Sequence, residues 1–182
     1  PKPEPKPAAI KRAAREDGGA DAGATRTASR PEEVPDPPAR STGRFAWPVR
    51  GDILTGYGPQ PSGLHNDGLN IAAGRGTPVK AAANGVVAYV GNELRGFGNL
   101  VLVKHAESWI TAYAHLDTIL VERGDKVERG ETIARVGSSG GVSEPQLHFE
   151  TRRGTDAVDP NEVLGSTTAM RHGRTTADAS AG

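Results

Sequence analysis

The stretch Leu64-His65-Asn66-Asp67-Gly68-Leu69-Asn70-Ile71-Ala72-Ala73 sets two asparagines four residues apart around a glycine and runs into an apolar strand. Two later stretches are read with it: Tyr113-Ala114-His115-Leu116 and Gln146-Leu147-His148-Phe149-Glu150. Each places a single histidine among strand-forming apolar residues. Outward from these, residues 44–165 show short apolar runs punctuated by glycine, and no helical period holds over eleven or more residues. Strands are expected over 45–49, 52–55, 68–72, 77–82, 86–90, 99–105, 109–115, 132–136 and 146–151. Residues 56–63 read as a loop and 122–131 as tight turns. Asn84-Gly85 carries a two-residue hairpin signal. Such spacing predicts an all-β fold, a compact antiparallel sandwich or barrel.

The three stretches resemble the active-site strands of the lysostaphin-like, LytM-type zinc peptidases, which cut peptidoglycan cross-bridges. That family writes its first motif His-x-Gly-x-Asp, with zinc bound by the His and the Asp. A closing His-x-His strand supplies the third ligand and one catalytic His, and an intervening strand supplies the other. With the motif anchored on Gly68, the two ligand positions fall on Asn66 and Asn70. The closing motif keeps His148 but has Gln146 in place of its first His, and His115 matches the intervening His. One of three zinc ligands and one of two catalytic histidines survive. The blocks Gly76-Thr77-Pro78-Val79, Gly85-Val86-Val87 and Gly124-Asp125-Lys126-Val127 also follow the family, so the likeness spans 47–164, roughly two-thirds of the chain.

Zinc takes imidazole, thiolate or carboxylate, and a catalytic site needs about three protein ligands. A neutral amide oxygen suits harder cations. With a four-ligand site worth roughly 10–16 kcal/mol, two missing ligands forfeit about 5–8 kcal/mol, or roughly four to six decades of affinity. Gln146 does not titrate near neutrality and is no general base. His65 is one residue from Asn66, but neighbours on a strand face opposite ways, so its use as a ligand needs a bulge. No metal and no cofactor are therefore expected. Asn66, Asn70 and Gln146 are expected to interlock by amide hydrogen bonds. With His115 and His148 they form a candidate binding groove, and Tyr57, His65, Glu93, Arg95 and Phe97 are candidate rim residues. His105 is expected to be structural.

The same substitutions resemble the degenerate LytM domains of bacterial division proteins. That resemblance implies a non-catalytic periplasmic regulator that binds and activates peptidoglycan hydrolases, N-acetylmuramoyl-L-alanine amidases above all, with peptidoglycan a further partner. The alternatives are an active zinc endopeptidase and a passive peptidoglycan-binding module. The hairpin near Lys126 also resembles biotinyl and lipoyl carriers, but lacks their small apolar flanks.

Lys+Arg and Asp+Glu are equal at 22 each, so no global charge points to nucleic acid or membrane. Aromatics make up 4%, too few for a base-stacking platform. The absence of cysteine excludes disulfides and thiolate metal sites. Residues 1–43 hold eight of the 14 prolines and, as large apolar residues, only Ile10 and Val34; they read as an extended linker. Residues 166–182, with His172 a bystander, read as a flexible tail. Because it opens at Pro1 without Met, the chain reads as a C-terminal piece of a longer protein.

Overall fold

The computed structural model describes residues 33–40 and 43–166; the expectations for residues 1–32 and for the tail with His172 lie outside them. Twelve strands form in order: β1 (Ile53–Thr55), β2 (Gly58–Pro59), β3 (His65–Asn66), β4 (Gly68–Ala72), β5 (Pro78–Lys80), β6 (Gly85–Gly91), β7 (Asn99–Lys104), β8 (Trp109–Ile119), β9 (Lys126–Val127), β10 (Thr132–Val136), β11 (Gln146–Arg153) and β12 (Asp156–Val158). One helical turn, α1 (Pro160–Val163), follows; the Asp159 side chain caps it by accepting from the Asn161 amide.

The main sheet runs β1-β4-β11-β8-β7-β6-β9, every pairing antiparallel, with β12 on β11 and β10 joining β8 to β5. The all-β expectation holds. Alternation sorts the residues: Leu69, Ile71, Leu147, Phe149, Tyr113, Val101 and Val103 bury on one face as the main core. Asn70 and His148 are register partners on the other face, and His148 is also opposite Ala114. Beneath the core, His105 bonds the Asn84 carbonyl and the Thr111 hydroxyl, and Thr111 donates to the Tyr113 hydroxyl. His105 is thus a structural residue, and burial drives its pKa down to about 4.

Three expectations need correction. Residues 45–49 are not a strand: Phe45 makes a single parallel bridge to Leu164, and its amide donates to the Val163 carbonyl. Their apolar character serves core packing instead. Asn84-Gly85 does not turn a hairpin, because β6 pairs with β7 and β9 while β5 pairs with β10. A Cβ on Gly85 would lie 2.4 Å from the Lys104 carbonyl oxygen, so close approach to β7 explains the glycine. The spans read as loop and turns contain β2 and β9, two residues each, too short to show a period.

Residues 33–40, read as linker, lie against the domain. Arg40 reaches Glu107 at 2.9 Å, with its guanidinium 5.0 Å from the Phe45 ring centroid and 5.8 Å from that of Trp109. Asn84 donates to the Ala39 carbonyl.

Candidate functional site

Strand β8 bends where the site begins. His115 sits at φ 63, inside the longest strand; there β8 leaves β11, its register with β7 shifts, and it pairs onward with β10. A non-glycine residue held there costs on the order of 1–3 kcal/mol, which surrounding structure must offset. The loops before β7 and after β10 supply that structure. Gly98 (φ 63) and Gly140 (φ 82) meet backbone to backbone, and a Cβ on either would strike the other loop at about 2.4–2.5 Å. Gly141 donates to the Gly96 carbonyl and His115 to the Phe97 carbonyl, which closes one wall and presents the Phe97 ring 5.7 Å from that of His148.

The opposite wall is the amide chain. Asn66 Nδ2 donates to the Gly56 carbonyl at 3.0 Å and to Asn70 Oδ1 at 3.1 Å, and Asn70 Nδ2 donates to Gln146 Oε1 at 2.9 Å. Gln146 Nε2 in turn donates to the Glu144 carbonyl. Backbone carbonyls only accept, so both ends of the chain fix every amide orientation. The interlock expected from the sequence is therefore formed, joining β3, β4 and β11.

From Asn70 the network continues along one face of β11. His148 Nδ1 lies 3.1 Å from Asn70 Oδ1, and its Nε2 lies 3.0 Å from Glu150 Oε1. Arg152 donates to Glu150 at 2.7 Å and to Asp67 at 3.0 Å, and Asp67 pairs with His65 at 3.0 Å. Burial raises the Glu150 carboxyl, but bonds from His148 and Arg152 outweigh it and hold the group below its usual range. Burial depresses His115, partly offset by its bond to the Ser139 carbonyl and reinforced by neighbouring His148.

Between the walls lies a cavity of about 390 Å³, lined among others by Asn66, Asn70, His115, His148, Phe97 and His65. Of the other residues named from the sequence, Gln146 reaches the site through Asn70. Tyr57 stacks edge-on to His65 and donates to the Ala157 carbonyl without lining the cavity. Glu93 and Arg95 are exposed on the loop that carries Phe97, outside the lining. Sequence reasoning missed Asp67, Glu150 and Arg152. The alternation Gln146, His148, Glu150, Arg152 was the available signal for two of them.

The donor set does not fit zinc. Two of the three converging side chains are amides already bonded to each other, and among the described residues no three His, Cys, Asp or Glu side chains group to hold an ion.

Comparison with known proteins identifies the family. The Caulobacter vibrioides cell division protein DipM is 52% identical over 132 residues, covering 69% of this chain and 22% of DipM. The Escherichia coli murein hydrolase activator NlpD is 41% identical over 120 residues, covering 66% of this chain and 31% of NlpD. The chain thus spans well under half of either relative. The catalytic domain of the antimicrobial peptidase lysostaphin from Staphylococcus simulans superposes with a TM-score of 0.59 at 32% identity, covering 64% of this chain and 93% of that domain. The sequence model of peptidase family M23 matches residues 64–160, more than half of the chain, and the chain belongs to peptidase family M23.

Proposed function

We propose that this chain is a non-catalytic member of the family that binds and activates peptidoglycan hydrolases, an N-acetylmuramoyl-L-alanine amidase foremost, in the periplasm during division. The observation that carries the proposal is the amide chain Asn66–Asn70–Gln146, at the positions that the motif resemblance matches to the family's metal and catalytic residues. With amides at Asn66, Asn70 and Gln146, the site offers neither a zinc donor set nor a titrating base at Gln146, while its shape persists through hydrogen bonds. The names of DipM and NlpD support a division role and hydrolase activation. Capture of an inhibitory segment of the hydrolase in the groove would shift that enzyme toward its active state. A swing from 1:99 to 99:1 takes about 5.5 kcal/mol of differential affinity. The domain proposed to do this spans residues 44–165, with residues 33–40 docked on it.

The test is release of dye from labelled sacculi by a purified amidase, with and without the chain, beside zinc determination on protein prepared without chelators. Acceleration of the amidase by a chain that carries no zinc and releases no dye alone supports the proposal. One zinc per chain with dye release by the chain itself replaces it with a peptidase.

A further inference from the structure

Residues 33–40 meet the domain in a rhythm of three. Val34, Pro37 and Arg40 are half-buried, while Glu33, Pro35, Asp36, Pro38 and Ala39 are exposed. That spacing, with no helix or strand over the segment, is the period of a polyproline II helix laid down on one edge. Prolines at 35, 37 and 38 preset φ for this conformation, so docking the segment freezes little that was free.

Arg40 ends this edge in a built seat. Its side chain is only 13% exposed. The guanidinium lies 5.0 Å from the Phe45 ring centroid and 5.8 Å from that of Trp109, two rings set edge-on at 5.4 Å, and it donates to Glu107 at 2.9 Å. Glu107 (φ 61) and Ser108 (φ 63) are consecutive non-glycine residues in the left-handed region, which persists only where surrounding contacts fix it. Trp109 also holds the Arg153 guanidinium at 5.7 Å, so its ring draws cations in its own right. A planar guanidinium stacks on a ring and pairs with a carboxylate at once, which an ammonium does not. Of the other ties, Asp36 is fully exposed and reaches Lys104 at 3.9 Å, a pair worth little. Asn84 grips the Ala39 backbone carbonyl, which any residue would offer. One atom stays unmet: Arg40 Nε is buried without a hydrogen-bond partner among the described residues. That deficit leaves the seat short of its full strength and the segment releasable.

We propose that Phe45, Trp109 and Glu107 form a receptor for a polyproline II segment ending in arginine, and that residues 34–40 are its resident ligand. The receptor stands at the start of β8, six residues before His115, roughly 20 Å along the strand at about 3.3 Å per residue. The chain that precedes Glu33 is thereby clipped away from the groove. Release of residues 33–40 adds about 25 Å to its reach. None of this depends on the proposed function.

The test is trypsin cleavage after position 40 in the full chain, each rate taken relative to a free peptide of the same sequence. Trypsin cuts only when the side chain has left its seat, so the rate reports the released population. Arg40→Lys and Glu107→Gln are expected to keep a folded β spectrum and to be cut about three- to tenfold faster than the wild type. In a second arm the Arg40→Ala chain is titrated with a peptide of residues 34–40, acetylated and amidated, and followed at the Trp109 indole resonance. Saturable binding is expected, about fivefold weaker when lysine replaces the peptide's arginine, and weaker still to the wild type, whose seat is filled. Wild-type cleavage as fast as the free peptide, Arg40→Lys cut no faster than the wild type, or a peptide that binds wild type and Arg40→Ala equally overturns the inference. Should Arg40→Ala not fold, Glu107→Gln at its exposed turn position decides: cleavage at the wild-type rate overturns the receptor.

Discussion

Replacing Asn66 with His and Asn70 with Asp tests whether the amide chain stands where a metal set belongs. Asn70 Oδ1 lies 3.1 Å from Asn66 Nδ2 and 3.1 Å from His148 Nδ1. Ligands about 2.0–2.2 Å from a tetrahedral zinc are separated from each other by roughly 3.3–3.5 Å. Two of the three edges that these side-chain tips would span in a zinc tetrahedron are thus already close to that length. His Nδ1 sits where an asparagine δ atom does, and Asp keeps the Oδ1 position. The second nitrogen of His148 faces Glu150 at 3.0 Å, the carboxylate–histidine arrangement that orients metal-bound imidazoles. Converting two amides to zinc ligands is expected to return about 5–8 kcal/mol of binding free energy, or roughly four to six decades. Without metal, the double variant loses the Asn66 bonds to Gly56 and Asn70 and the Asn70 bond to Gln146, about 2–4 kcal/mol of stability, which zinc offsets by linkage. Competition against a chromophoric chelator measures the affinity, and urea unfolding with and without zinc measures the linkage. A double variant that binds zinc no better than the wild type refutes the placement of the metal set on Asn66, Asn70 and His148.

Three other outcomes are expected. At φ 63, His115→Gly should be about 1 kcal/mol more stable than His115→Ala in urea unfolding. Both variants lose the ring, so the comparison isolates the backbone; Ala equal to or above Gly would show that β8 is not strained there. His105, with its pKa lowered to about 4, binds protons more readily unfolded than folded, so its contribution is complete above pH 6.5. It is lost as pH falls from about 6.5 toward 4, some 3 kcal/mol in all, and His105→Gln should flatten the stability–pH curve in that window. Gly85→Ala drives a Cβ to 2.4 Å from the Lys104 carbonyl oxygen and should cost about 2–3 kcal/mol of unfolding free energy; a smaller loss than Val86→Ala, measured in parallel, would show that the β6–β7 contact gives way easily.

Much of the fold was legible because β4 and β11 alternate apolar and polar residues, while β7 and β8 are apolar runs buried on both faces. The two-residue strands β2, β3 and β9 were not, since pairing and not pattern creates them. Residues 45–49 misled for a related reason: an apolar run marks burial, and Phe45 buries by packing on Trp109 and His105 without joining a ladder. At the site, Asn66, Asn70, Gln146, His115 and His148 were brought together from sequence by the resemblance to the family's motifs. The bond between Asp67 and Arg152 crosses 85 positions and leaves no local trace. Nor could spacing foretell that His115 bends its strand, because the bend depends on two glycine loops meeting elsewhere.

Strands β4 and β11 are tied at the groove by Asn70 and Gln146, members of the same covalent chain. That tie completes itself when the polypeptide folds and asks nothing of the surrounding medium. Chelators or metal starvation, which would empty a zinc peptidase of the same shape, are expected to leave this amide tie as it was.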